Sequence, residues 1–531
     1  MMKRNFLWNI AYGLIIALLV AGEALTVATL VRLDMLPVAY LAGISAVFGL
    51  FAVLVGYLFF GKGKRSGKVR RIVACVLTVL LVCGCAVITT VAFDVMDTLA
   101  STSEEPETPA ATREVYVMMN SEAQELIDLY GATIGYVKNF DEECTNQVFE
   151  AISEKTKEPV ASAGYTNMFT MVDALMAGKI DAMVLNGGYL SILEDTDEYL
   201  DFTEKVRILA QVEVTEPADL MGGLWNPESD LPEDTLPTDA TEPEETDPTE
   251  PEEEEDFTNI KPFVLYISGS DTRSKTLNNK TRSDVNILAA VNPMTKQVVL
   301  INTPRDYYIR NSASGSGAKD KLTHCGIYGI DCSMKTLGNL YDQKVKYYVK
   351  INFTGFEKVI DAIGGVTVHS DIAFTLHKDV GKIKVGENKL DGKEALMFAR
   401  TRKGLAGGDN QRGKHQMEVI RAVIKKATTG TTVISNYSDI MKSIDGMFVM
   451  NIPTKTINNI MKMQLMDMAQ WNVVSYSATG TNTQAICYSM PSMKLSVVEP
   501  HSNSVKKATL LMDMVLAGEI LTDEVVDGIT G

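Results

Sequence analysis

Hydrophobic and polar positions divide this chain into four kinds of stretch. Three apolar runs come first, at residues 6–31, 38–60 and 72–93. Each is close to the roughly 20 residues that cross a bilayer as a helix. A short polar spacer follows. From residue 114 to 214 the pattern alternates. VYVMM and ATIGYV read as strands, and CTNQVFEAISEK as a helix. MFTMVDALMAGKIDAMVLN reads as helix, glycine stop and buried strand. YLSILED begins a further helix, and VRILAQVEV ends in a strand. Such alternation predicts an α/β unit. Residues 226–256 are dominated by Pro, Thr, Glu and Asp and have no period. They cannot bury a core, so a disordered, charge-extended linker is expected. From Lys261 alternation returns. PFVLYIS, VNILAAVN, QVVLINT, YYVKIN and VTVHS read as strands, and CSMKTLGNLYDQ as a helix. FTGFEKVIDAIGG reads as a helix closed by glycine. ALMFA reads as a strand, and MEVIRAVIKKA as an amphipathic helix. The predicted fold class is α/β: a three-layer α/β/α domain, preceded by three transmembrane helices and a small α/β domain. The boundaries fall at 1–93 (membrane), 94–112 (spacer), 113–225 (α/β domain), 226–257 (acidic linker) and 258–531 (C-terminal domain).

Charge changes the picture only locally. The net charge is −17, but residues 228–256 hold 15 acids and no Lys or Arg. The remainder is near balance, so the acidity says little about a substrate. No nucleic-acid partner is expected. Lys3 and Arg4 precede the first apolar run, and Lys62, Lys64, Arg65, Lys68, Arg70 and Arg71 join the second to the third. The positive-inside rule then puts the N-terminus and this basic loop in the cytoplasm. Three crossings make a multi-pass cell-membrane protein with everything after residue 93 outside. VCGC at 82–85 loosely matches a lipoprotein cleavage site, but the apolar run continues past it. Seven cysteines show no metal-ligand spacing. Cys325 and Cys332, on the oxidising side, predict a disulfide. His324, His369, His377, His415 and His501 show no ligand spacing either, and His415 reads as a surface residue.

Chemistry concentrates in residues 400–416, RTRKGLAGGDNQRGKHQ. On an extended backbone Arg400 and Arg402 point to one side. Asp409, after two glycines, sits where a helix N-cap would. Arg412 and Gln416 are one turn apart on one helix face. Guanidinium groups grip phosphate oxygens in bidentate fashion. A solvated loop with scattered ion pairs is the plainer alternative. Further polar groups fall at predicted strand ends: Asp271, then Arg305 with Asp306. Arg282 and Asp284 share one side of a strand. Open α/β sheets bind ligands at such ends. Two carboxylates among many arginines are costly to bury unpaired. A bound diphosphate with a hard cation such as Mg²⁺ reconciles them.

These motifs resemble the LytR-CpsA-Psr family. They are DTR at 271–273, RSDVNIL at 282–288, PRD at 304–306, ARTR at 399–402 and D-x-x-R-x-x-x-Q at 409–416. The resemblance runs from about residue 263 to 518. It implies an extracellular phosphotransferase that moves a glycopolymer (teichoic acid, capsule or other wall polysaccharide) from a polyprenyl-diphosphate carrier to peptidoglycan. Its partners would be that carrier, peptidoglycan and membrane lipid, with Mg²⁺ as cofactor. Asp271 and Asp284 fall on metal-linked positions. Arg282, Arg305, Arg400, Arg402, Arg412 and Gln416 fall on diphosphate-contacting ones. Arg305, Asp409 and Arg412 fall on positions tied to catalysis, with Asp409 preferred as an orienter of arginine over a base. Arg273 and Asp306 match the motifs without an assigned role. The family more often has one span, so three spans and the inserted domain are departures. That inserted domain resembles one lobe of a periplasmic solute-binding protein, through TIGYV, ALMAGKIDAMVLN and YLSILED. The resemblance implies a small ligand, while a spacer or packing domain is the plainer reading. Hydrolysis of the polyprenyl diphosphate, or a non-catalytic envelope sensor, are the rival functions.

Overall fold

The computed structural model describes residues 2–61, 67–103, 111–138, 141–193, 199, 202–215, 257–270, 277, 281–314, 317–376, 380–401, 408–429, 440 and 447–529. The acidic linker lies outside them. The apolar runs fold as helices α1 (Met2–Leu33), α2 (Val38–Phe60) and α3 (Gly67–Ser103). Each contains a stretch long and apolar enough to cross a membrane: Trp8–Leu33, Val38–Phe60 and Lys68–Asp97. Tyr12, Leu19, Val55, Phe59 and Ala74 pack between them. Leu14, Leu50, Val53 and Leu80 point outward and stay exposed, as helices solvated by lipid do.

The α/β unit comprises β1 (Ala111–Met118), β2 (Thr133–Val137), α4 (Glu142–Thr156), β3 (Ala161–Tyr165), α5 (Met168–Met176) and β4 (Ala182–Leu185). The one-turn helices α6 (Leu190–Leu193) and α7 (Phe202–Lys205) and strand β5 (Val206–Val214) follow. Its sheet runs β3-β2-β4-β1-β5. β2 is parallel to β3 and β4, while β1 is antiparallel to β4 and β5. Gly178, at φ +66°, follows α5 as the sequence suggested. α4 covers one face of the sheet and α5 the other.

The C-terminal domain is built on a sheet ordered β16-β11-β6-β7-β8-β17. Its strands are β6 (Phe263–Ser270), β7 (Val285–Asn292), β8 (Gln297–Asn302), β11 (Val345–Asn352), β16 (Phe448–Met450) and β17 (Asn472–Ser477). β11 is parallel to β6, and β17 to β8; the other pairs are antiparallel. The hairpin β9 (Tyr308–Arg310) and β10 (Lys319–Lys321) leads into the turn α8 (Leu322–Cys325) and then α9 (Ile330–Tyr341). After β11 come α10 (Phe353–Ala362), β12 (Val366–Ser370), β13 (Phe374–Thr375), β14 (Lys382–Ile383), β15 (Gly386–Leu390), α11 (Gly392–Arg400) and α12 (Gly408–Thr428). The chain ends through α13 (Thr454–Asp467), the hairpin β18 (Gly480–Cys487) and β19 (Met490–Pro500), α14 (Ser502–Leu516) and α15 (Asp523–Gly528). Side chains alternate across β7: Leu288 and Ala290 face α9 and α14, whereas Ile287 and Ala289 face α12 and α13. The sheet is thus the middle of three layers, as expected.

Two expectations about an element and a crosslink fail. ALMFA is helical, lying inside α11. Asp391 accepts from Glu394 N (2.8 Å), and the Glu394 carboxylate accepts from Asp391 N (3.1 Å). This capping box starts a helix. Five consecutive apolar residues cannot by themselves separate strand from helix. Second, Cys325 and Cys332 are both free thiols, not a disulfide. They are nevertheless neighbours: Cys332 and burial together push the Cys325 thiol well above its ordinary range.

Candidate functional site

A cavity of about 230 Å³ opens beside the carboxyl ends of β6 and β11. Ile267, Phe353, Phe356, Leu396 and Ile420 give it an apolar wall. Asp284, Arg305, Arg400, Arg412 and Gln416 give it a polar one. They arrive on four supports. Asp284 immediately precedes β7. Arg305 follows β8 in the turn Pro304–Tyr307. Arg400 ends α11, and Arg412 and Gln416 lie one turn apart on α12, on one face as the spacing required. Asn352, at the end of β11, caps α10 by accepting from Gly355 N (2.8 Å) and so fixes Phe353 at the rim.

Charge is arranged around Asp284. Arg305 Nη1 donates to Asp284 Oδ1 at 2.6 Å. Arg282 Nη2 stands 3.6 Å from the same oxygen, and its Nε donates to Thr323 Oγ1 at 3.4 Å. Burial opposes the charged form of Asp284. Arg282, Arg305 and Arg412 outweigh it and hold the carboxyl below its ordinary range. Arg305 is braced from behind by Asp306 at 3.9 Å, and Asp306 pairs with Lys321 at 3.3 Å. Burial also opposes ionisation of Asp306, and Lys321 and Arg305 prevail there too. The Arg400 guanidinium lies 4.2 Å from the Phe353 ring centroid, a cation–π contact between the polar and apolar walls. Gln416 Nε2 donates to Ala399 O at 3.4 Å, which ties α12 to α11.

His415 is not a surface residue. Its ring stacks on Phe398 (4.3 Å between centroids) and on Phe374 (5.1 Å). Its Nδ1 lies 3.2 Å from Phe398 O, and its Nε2 lies 3.0 Å from Gln411 Nε2. Nδ1–H therefore donates to the carbonyl, and Nε2 accepts from the amide. Burial, against the help of the Phe398 carbonyl, pushes its pKa down to about 4. It is a neutral packing ring beneath the site.

Of the residues expected at the site, the structure brings Asp284, Arg305, Arg400, Arg412 and Gln416 to one cavity, with Arg282 against Asp284. Asp306 stands behind Arg305 and does not line the cavity. Asp271, Arg273 and Arg402 lie outside the described residues, as does the Asp409 side chain. The Asp409 backbone is inside the first turn of α12, because the helix already begins at Gly408; it is not an N-cap. Arg400 stands at a helix end and not on a strand.

Sequence reasoning missed Lys321 and Thr323, the groups that brace Asp306 and Arg282. It also missed a buried cluster. Asp320, His324 and Cys487 bring one ligand atom each within 4.8 Å of one another. Their donors give the protein a place with the capacity to hold a metal, although nitrogen and sulfur suit Zn²⁺ rather than Mg²⁺. Asp320 Oδ1 lies 2.7 Å from His324 Nδ1, and Ser489 donates to Asp320 through both N and Oγ, at 2.9 and 3.1 Å. In this form the group is a hydrogen-bonded tie between α8 and the β18–β19 turn. The spacing of Asp320 and His324 was visible; Cys487 and Ser489 come from more than 160 positions away.

The sequence profile of the LytR-CpsA-Psr family matches residues 235–506. The polyisoprenyl-teichoic acid–peptidoglycan teichoic acid transferase TagU of Enterococcus faecalis is 33% identical over 187 residues, 35% of this chain and 60% of its own length. The Bacillus subtilis protein of the same description, TagT, is 37% identical over 204 residues, 36% of this chain and 61% of its own. The chain thus spans about 60% of the length of these relatives. Among solved structures, TagT bound to LI-WTA is 27% identical, covering 48% of this chain and 91% of its own, with a TM-score of 0.39. Bacillus subtilis TagV is 24% identical, covering 49% and 99%, with a TM-score of 0.40.

Proposed function

The chain belongs to the LytR-CpsA-Psr family, and from that premise we propose that it transfers a wall glycopolymer from a polyprenyl-diphosphate carrier to peptidoglycan. The observation that carries this reading is the two-sided cavity. Three guanidinium groups gathered on one wall of the cavity suit a polyanion, and the facing apolar wall suits a hydrocarbon chain. Polyprenyl diphosphate has both parts.

In this reading Arg305, Arg400, Arg412 and Gln416, with Arg282 and Arg402, hold the diphosphate. A sugar hydroxyl of peptidoglycan attacks the phosphorus nearer the glycopolymer. The bond from that phosphorus to the bridging oxygen breaks, polyprenyl phosphate leaves with the electron pair, and the hydroxyl proton passes to the leaving phosphate or to solvent. Arg305 and Arg412 meet the charge that builds on the phosphoryl oxygens, which is where fixed donors contribute most. Asp409 serves as an orienter of these arginines. Asp284, with its pKa held low by arginine, is a poor base, and its oxygens suit a hard cation. Mg²⁺ would be held by Asp284 and Asp271 with diphosphate oxygens, supplying charge neutralisation.

The sidedness follows the same reading. α13 rests on the turn between α1 and α2, at the opposite end of α2 from the basic loop. With that loop cytoplasmic, the C-terminal domain stands outside. The α/β unit turns its Asn186–Tyr189 loop onto the C-terminal domain, with Tyr189 OH donating to Tyr328 OH at 3.3 Å. In a solute-binding lobe the segment 178–186, which leads into this loop, would enter the ligand cleft. The loop's use here as a contact favours a packing role.

The test is the full chain in nanodiscs with a polyprenyl-diphosphate oligosaccharide, peptidoglycan oligomers and Mg²⁺. Both polyprenyl phosphate and joined sugar are followed. Joined product is expected, reduced on the order of 10²-fold or more in Arg305→Ala, as for loss of one preorganised donor. Lipid cleavage without joining would replace transfer by hydrolysis. No turnover and no lipid binding would leave a sensor.

A further inference from the structure

The three spans and the C-terminal domain are joined by a long path in sequence, yet they touch directly. Asn458 Nδ2 on α13 donates to Leu33 O at 3.1 Å. Lys462 Nζ pairs with Asp34 Oδ1 at 2.6 Å. Ile457 packs with Met35 and Val95. Tyr40 OH donates to Leu465 O at 2.9 Å. α13 therefore lies across the turn that links α1 to α2.

The contact fixes a height. Tyr40 is the third residue of α2, an apolar helix almost wholly open to its surroundings. Lipid must begin where such a helix begins, and a tyrosine at that depth belongs to the interfacial belt. A carbonyl bonded to Tyr40 cannot stand far above the headgroups. Just beyond it, Met466 is 58% and Met468 36% exposed. Lys296 pairs with Asp467 between them, and this brings up the turn after β7, where Met294 is 49% exposed. Apolar residues scattered singly over a surface need no explanation. Three thioethers gathered where the first spans leave the bilayer are different. Methionine is flexible and apolar enough to fit between irregular acyl chains.

We propose that the edge formed by Met294, Met466 and Met468 inserts into the outer leaflet, with lipid as its occupant. It continues the interface that α13 already makes with the spans. The domain is then held at the bilayer by two supports, the α13 dock and this edge, so the tether through the linker does not set its height. This inference does not depend on the reaction proposed above.

The protein supplies its own control. Met119, in the α/β unit, is 54% exposed. Protein surface alone therefore gives Met119, Met466 and Met294 similar access to an oxidant. The full chain in phosphatidylcholine–phosphatidylglycerol nanodiscs is treated with hydrogen peroxide, and sulfoxide at each methionine is followed by peptide mass spectrometry. Met119 is expected to oxidise several-fold faster than Met466 and Met294. Equal rates would overturn the proposal. A second measurement identifies the cover. In Met466→Trp, the emission added over the parent chain should be quenched by lipids brominated on the acyl chains. Protection without quenching would assign the edge to a protein surface, such as a second copy of this chain, and would also overturn it.

Discussion

Asp284 and His415 are both buried and titratable, and their surroundings drive them to opposite charge states. Arginines on three sides keep Asp284 ionised. Two phenyl rings keep His415 neutral. The histidine leads to a prediction about pH. Its folded-state pKa of about 4 lies below the ordinary 6.5, so the unfolded chain takes up the proton first. Stability must then fall as pH drops from about 6.5 towards 4 and level off below. His415→Phe keeps the stack and removes the proton. Melting of the solubilised chain at pH 7 and pH 5 should show a smaller loss in the variant than in the parent. An equal loss would place the acid sensitivity elsewhere. Much of this residue-scale chemistry was legible, because family motifs carry the arginines and Asp284 in order. Lys321, Thr323 and the partners of His324 were not. They act through contacts across hairpins, and nothing local in sequence marks such a contact.

α11 shows how an element can be misread while its residues are not. The run ALMFA is apolar throughout, so its period is ambiguous, but DGKE at 391–394 carries a helix start in plain view. The helix aims Arg400 at the cavity from its last turn and stacks it on Phe353. Removing the cap with Asp391→Ala should cost about 1 kcal/mol of stability. It should also loosen the far end of the helix, where Arg400 sits. On the proposed reaction, steady-state assays of transfer are then expected to show KM for the lipid rising more than kcat falls, since the proposed diphosphate grip weakens while Arg305 stays in place. A fall in kcat alone would mean that Arg400 acts on the reacting phosphorus and not in binding. α12 was read correctly as a helix because Val419 and Val423 recur at its period. Only its first residue was misplaced, where two glycines leave the start undetermined.

At the scale of the molecule, the sequence separates its units and conceals how they meet. Composition marks spans, α/β unit, linker and C-terminal domain clearly. It does not show that the α/β unit docks behind the arginine-lined cavity. Ile327, Cys487, Met490, Leu495 and Val497 from the C-terminal domain join one cluster with Met171, Leu175 and Tyr189. A Cβ on Gly188 would lie 3.1 Å from Ile327, so the two surfaces meet closely. Ile327 lies two residues past α8, the turn that carries Thr323 and through it touches Arg282. The turn is thus held from two directions: the Asp320–His324–Ser489 tie below it and the α/β unit above. Ile327→Asp places a carboxylate in that apolar joint, where an unpaired charge is strongly unfavourable. Undocking would relieve it, because water can then reach the side chain. Hydrogen exchange on the full chain should therefore quicken in residues 186–193 and 322–329 together, while α4, which packs on the opposite face of its sheet, stays protected. Faster exchange throughout the α/β unit would mean that the unit depends on the joint for its own folding. Unchanged exchange in both segments would show that the contact carries little free energy, and the α/β unit would then be a tethered neighbour with no hold on the arginine site.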